Sequence, residues 1–223
     1  RCAVLIQSNN TNILIDAGPD IKNQLIDHNL QSLDGIIITH EHADHISGLD
    51  ELRPFYFPKQ EKINIYTIER TANFLSTRFD YLFNKNEKSQ SYFKPPMNLN
   101  IINYYDEINF NDINIKTIKQ HHGVIDTIGL IINDKFAYCT DVVNFPDDSF
   151  NKLKNLDTLV ITGLRSAPHI AHAHFDLTFS WIDKLKPKKA YLTHLSPDSD
   201  HDTVLSICPD NVEPAYDNLY FNI

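Results

Sequence analysis

The sequence predicts an α/β fold, and three observations carry that prediction. Short strand-like runs recur along the chain, at Ala3 to Gln7, Asn12 to Ala17, Gly35 to Thr39, Ile63 to Ile68, Leu99 to Tyr105, Ile113 to Lys119, Thr127 to Ile132, Phe136 to Thr140, Leu156 to Thr162 and Lys189 to Thr193. Several of them read as strands buried on both faces. Segments with apolar residues at helical spacing alternate with these runs. The third observation is that several strands stop directly at His or Asp, which places those residues along one edge of a layered fold, where ligands commonly converge.

Taken in order, the first two runs flank Ser8-Asn9-Asn10-Thr11 and read as a hairpin. Gly18-Pro19 breaks the second strand, and Ile21, Leu25 and Ile26 share a face of a helix expected over Asp20 to His28. Asp16, at the end of its strand, reads either as a residue that orients a ligand His or as a cap of the following turn. The Gly35 strand delivers His40, His42, Asp44 and His45 to one loop, followed by a helix expected over Ile46 to Leu52 and stopped before Pro54. Arg53 then lies near that loop, where it could hold an anion or form a surface ion pair.

Glu69 to Phe83 carries Ala72, Leu75, Phe79 and Leu82 at helical spacing and reads as a helix with a core face. Asn84 to Asn98 is a long polar segment whose Tyr92, Phe93 and Met97 could cover a substrate or form a passive insertion. The Ile113 strand runs into His121-His122-Gly123, the Phe136 strand into Asp141, and the Lys189 strand into His194. Arg165, His169, His172 and His174 follow the Leu156 strand, and Phe179 to Leu185 reads as a helix stopped by Pro187. His169 and His201 read as structural histidines and Cys139 as core packing.

Composition narrows the class. A length of 223 residues with 42% hydrophobic content suits a single domain over residues 1–223. Arg1 to Ser8 already reads as a strand, so residues upstream are expected to be missing. Twenty Lys and Arg against 29 Asp and Glu, a net charge of −9, oppose electrostatic capture of extended nucleic acid. No apolar run approaches the ~20 residues that span a bilayer, and the three scattered cysteines form no disulfide framework. A cytoplasmic protein without membrane partners is expected, and a homodimer is left open.

Three His and one Asp in six residues form a metal-ligand pattern suited to zinc, manganese or iron. His40 and His42, two apart in an extended loop, can share one metal, while Asp44 and His45 leave on another side toward a second. Thr39-His40-Glu41-His42-Ala43-Asp44-His45, then His122-Gly123, Thr140-Asp141 and Leu192-Thr193-His194, preceded by Leu14-Ile15-Asp16-Ala17-Gly18, resemble in order the metallo-β-lactamase superfamily. Gly48 to Phe55 and Pro168 to His172 look most like its phosphoribosyl cyclic phosphodiesterase branch.

The resemblance implies a four-layer αβ/βα sandwich and two metals, zinc by default with manganese as the alternative. His40, His42 and His122 would hold one metal, Asp44, His45 and His194 the other, with Asp141 between them. His121 competes with His122. His172, with His174 in reserve, matches the family's general acid, and Asp44 enters the catalytic set with it. Arg53 and Arg165 could bind phosphate oxygens. The activity expected is hydrolysis of small phosphodiesters, cyclic ones included, by water activated between two ions. A tRNA-processing or other nuclease, a thioester or lactam hydrolase, and a metal-binding regulatory protein are the alternatives.

Overall fold

The computed structural model describes residues 2–84 and 94–223, so Tyr92 and Phe93 lie outside the described residues. A chain that reads as one domain divides into two compact units. One runs to Asn103 and takes in Asn109–Ile113; the other comprises Tyr104–Ile108 and Asn114–Ile223.

The first unit is built on a five-stranded sheet in chain order: β1 (Val4–Gln7), β2 (Asn12–Ile15), β3 (Gly35–Ile37), β4 (Ile63–Thr67) and β5 (Met97–Ile101). The β1–β2 hairpin is antiparallel and the remaining pairs are parallel. Every residue of β3 is buried, as its unbroken apolar run requires. Its helices are α1 (Ile21–Asp27), α2 (Ala43–Ile46), α3 (Glu69–Arg78) and α4 (Asp80–Phe83). Ile36, Ile38, Ile46, Leu49, Leu52 and Leu75 are fully buried in one cluster on this sheet.

Three segments differ from the sequence-based expectation. The helix expected over Ile46 to Leu52 is instead α2, which starts inside the His/Asp loop, followed by a 3₁₀ segment over Leu49–Phe55 that contains Pro54. Gly48 is the reason. Its N–H donates to the Ala17 carbonyl at 2.8 Å, and a Cβ there would lie 2.1 Å from the Gly18 carbonyl oxygen. The chain turns in close contact with Ala17-Gly18, so α2 ends after one turn. The helix expected over Glu69 to Phe83 is broken at Phe79, whose backbone leaves helical geometry (φ −120°, ψ 43°). Met97 begins β5 and is fully buried in the core of this unit, so packing rather than covering a substrate is its role.

The other sheet has seven strands. Its strands are β6 (Glu107–Phe110), β7 (Ile113–His122), β8 (Ile125–Ile132), β9 (Phe136–Cys139), β10 (Thr158–Thr162), β11 (Lys189–Thr193) and β12 (Val212–Pro214), adjacent in that order. β7, β8 and β9 are antiparallel neighbours, and β9 to β12 are parallel. The helices are α5 (Asp147–Lys152), α6 (Phe175–Leu185) and α7 (His201–Ile207). α6 buries Phe175, Thr178, Trp181, Ile182 and Leu185, a stripe at helical spacing, and begins four residues earlier than its apolar run suggests. Among the described residues no helix is long and apolar enough to cross a membrane.

Gly48→Ala should therefore be costly. Overpacking of this kind destabilises by roughly 1–3 kcal/mol, read as a lower unfolding midpoint. Gly163→Ala is the control, because a Cβ there meets the flexible Leu192 side chain no closer than 3.1 Å. Equal midpoints for the two variants would contradict the close turn at Gly48.

Candidate metal centre

In the first unit, parallel strands β2 and β3 end side by side, which brings Asp16 to the His/Asp loop. Asp16 is fully buried and left-handed (φ 62°), a conformation that Asp tolerates better than most residues. Its Oδ1 accepts the Thr39 N–H at 2.8 Å, and the Thr39 hydroxyl lies 2.9 Å from Oδ2. His45 Nδ1 is 2.7 Å from the same Oδ2 and donates its proton there, which turns His45 Nε2 outward as the ligand atom. The Thr39 hydroxyl gives its one proton to Asp16, so it accepts from His40 Nδ1 at 3.0 Å and leaves His40 Nε2 as the ligand atom. His40 Nε2 and His42 Nδ1 then converge to 3.0 Å. Asp44 Oδ2 lies 3.4 Å from His45 Nε2. Asp16 thus orients a histidine and is more than a turn cap.

In the second unit, β9 ends at Cys139 and Asp141 follows, buried and left-handed (φ 54°). The Thr140 hydroxyl donates to Asp141 Oδ2 at 2.6 Å. Asp141 Oδ1 faces three imidazoles: His194 Nε2 at 3.3 Å, His172 Nδ1 at 3.7 Å and His122 Nε2 at 3.8 Å. His194, at the end of β11, is also left-handed (φ 59°). The loop that carries His172 is held on either side of it. The Ala171 carbonyl accepts from His122 Nδ1 at 2.8 Å, and the Ala173 N–H donates to the Val142 carbonyl at 2.7 Å. His172 stacks on His194 with ring centroids 4.7 Å apart.

The donors of the second unit fit a divalent cation. A neutral His122 that gives its Nδ1 proton to a carbonyl presents a lone pair from Nε2, and that lone pair faces a carboxylate oxygen 3.8 Å away. Imidazole nitrogen and carboxylate oxygen are the donor types that bind zinc and similar divalent ions. Asp141, His122 and His172 offer ligand atoms within 4.8 Å of one another. Burial lowers the His172 pKa to about 4; Asp141 opposes that shift, and the neighbouring histidines add to it.

His121 and His122 point to opposite faces of β7. His121 Nδ1 lies 2.7 Å from Asp126, which Lys119 also holds at 2.8 Å. His174 occupies the N-cap position of α6, and His169 Nδ1 accepts the Ala171 N–H at 3.2 Å within its own turn. Arg53 lies in the 3₁₀ segment, where its charge acts on Tyr81; burial and then a hydrogen bond to Asp50 push that phenol up to about 12. Arg165 folds back on its own loop, Nε donating to the Ala167 carbonyl at 3.4 Å. Sequence reasoning did not single out Glu41, whose carboxylate is bound by Arg70 and Thr71. Its position between two ligand histidines was the available signal.

Residues 11–195 match the Beta-lactamase superfamily domain. The structure is similar to the crystal structure of a diphosphatase from the PhnP family, with a TM-score of 0.88 and 30% identity, covering 97% of this chain and 81% of that one. An octanoyltransferase of Porphyromonas gingivalis is 28% identical over 211 residues, 93% of this chain and 41% of that protein. A ribonuclease Z of Sulfolobus acidocaldarius is 29% identical over 136 residues, 59% of this chain and 42% of that protein. The chain spans less than half the length of these two relatives. The fold class is the metallo-β-lactamase type that the motifs imply, and this fold implies divalent metal ions. On the match across residues 11–195 and the 30% identical diphosphatase, the chain belongs to the β-lactamase superfamily.

Proposed function

We propose that the protein is a metal-dependent hydrolase that cleaves small phosphodiesters, cyclic ones included, with two divalent ions, zinc by default. The observation that carries this reading is the convergence of His194 Nε2, His172 Nδ1 and His122 Nε2 on one buried carboxylate oxygen, Asp141 Oδ1. The ligand set implied by the sequence resemblance is His40, His42, Asp44, His45, His122, Asp141 and His194. When bound, two such ions polarise phosphoryl oxygens and bring the pKa of water toward neutrality.

The chain's own residues supply orientation and a proton. Thr140 holds Asp141 Oδ2, so Oδ1 keeps its aim. His172 is the residue to protonate the leaving oxygen. Burial pulls its pKa down toward about 4, the Asp141 carboxylate beside it opposes that shift, and an anionic phosphoester alongside would favour its charged form further. The proton leaves from Nε2, because Nδ1 faces Asp141. A sugar alkoxide leaving group needs that proton far more than a thiolate does, which favours phosphodiesters over thioesters. The diphosphatase relative also favours phosphorus chemistry. A net charge of −9 opposes the long RNA substrates of a nuclease.

Elemental analysis of gently purified protein should find close to two equivalents of transition metal per chain, and a single tight ion with no second site would contradict the dinuclear reading. Asp141→Ala should lose metal and activity together. His172→Ala should keep its metal and lose about 10²–10⁴-fold in kcat on an unactivated phosphodiester, and much less on a p-nitrophenyl ester. Loss of metal in that variant would make His172 a ligand. For substrate class, kcat/KM should be highest on a ribose cyclic phosphate or a p-nitrophenyl phosphodiester. Faster turnover of a structured RNA or a cephalosporin would overturn the proposal.

A further inference from the structure

Glu41 sits between His40 and His42, the first two histidines of the ligand loop. In extended backbone, neighbouring side chains point to opposite sides, and His42 is extended (φ −67°, ψ 149°). A residue that alternates with two converging histidines turns its back on whatever they hold. Glu41 does so into the protein, with a side chain only 9% exposed.

Both of its oxygens are occupied. Arg70 Nε lies 2.7 Å from Oε1, and the Thr71 hydroxyl donates to Oε2 at 2.9 Å. Arg70 and Thr71 are consecutive residues in the first turn of α3, a helix placed by its buried Ala72 and Leu75. A carboxylate held at two points restrains its own backbone far more than one hydrogen bond would. A charge buried to this degree is costly unless paired and hydrogen-bonded, so Glu41 is fixed in this one arrangement. The loop is also tied at Thr39 and His45 by Asp16, and the Ile38 carbonyl accepts from the Thr67 hydroxyl at 2.8 Å. Those ties hold the two ends of the loop. Glu41 holds its middle, where His40 Nε2 and His42 Nδ1 come within 3.0 Å of each other.

We infer that Glu41, clamped by Arg70 and Thr71, is a positioning residue that preorganises His40 and His42 for a metal ion and sets the affinity of that ion. This deepens the reading of the loop as a metal site and rests on it. Outer residues that orient ligands typically contribute about 10- to 100-fold in metal affinity. Glu41 makes no demand on the substrate, so its loss should act through metal occupancy.

The test strips the full chain of metal and titrates zinc against a chromophoric chelator, with the unfolding midpoint of each metal-free variant measured alongside. Glu41→Ala should weaken zinc binding by about 10- to 100-fold. Glu41→Gln should weaken it less, because the amide oxygen can still accept from Thr71 while the charge pairing with Arg70 is lost. Thr71→Val should also weaken it. In an Arg70→Ala, Thr71→Val background, Glu41→Ala should add little. If Glu41→Ala fails to fold, Glu41→Gln and Thr71→Val decide. Zinc affinity within twofold of the parent in these folded variants overturns the inference, whether or not the metal-free midpoint falls. A parent chain that binds no zinc overturns the metal-site reading instead, and the two failures are distinguishable.

Discussion

A buried carboxylate that faces imidazole nitrogens at 3.3 to 3.8 Å is the interaction on which the chemistry of the second unit depends. Asp141 is 1% exposed, and a charge so far from water must find compensation nearby. The surrounding backbone is arranged to hold it. Gln120 on β7 donates to the Thr140 carbonyl at 2.8 Å, and Thr127 on β8 donates to the Asp141 carbonyl at 3.1 Å. Gln120 also donates to the Thr127 hydroxyl at 3.0 Å, so two neighbouring strands grip the end of β9. The Val142 carbonyl accepts from Ala173, which ties the loop bearing His172 to the same strand end.

Asp16 and Asp141 show how one residue type serves two purposes. Both end a strand, both are buried, and both are left-handed. Asp16 has each oxygen engaged by protein donors, Thr39 on one and Thr39 with His45 on the other, so it orients ligands. Asp141 has one oxygen engaged by the Thr140 hydroxyl while the other faces His194 Nε2, His172 Nδ1 and His122 Nε2. The groups each carboxylate faces separate an orienting residue from one placed to bind a cation. A residue type at a strand end does not reveal that difference.

Much of this was legible in the sequence, and the reasons can be traced to particular residues. β3 and β10 are readable because β-branched runs end abruptly at polar residues. The alternation of β7 separates His121 from His122 once the strand is known, although sequence alone leaves both as candidates. The 3₁₀ segment escaped notice because Gly48 acts through a contact with Gly18, thirty positions away. β6, β12 and α7 give weak patterns: β6 is an edge strand with exposed positions, β12 has three residues, and α7 buries only Val204. The Glu41 clamp depends on α3, twenty-eight residues further on; the local signal, a position between two ligand histidines, does not name its partners Arg70 and Thr71.

If a cation binds beside Asp141, the histidine ring ¹⁵N signals of metal-free protein report it as zinc is added. The Nε2 signals of His122 and His194 should shift to values typical of metal-bound imidazole, while His121, paired with Asp126, stays unchanged. Zinc-dependent shifts confined to His121 or to exposed histidines, with His122 and His194 unmoved at saturation, would contradict such binding.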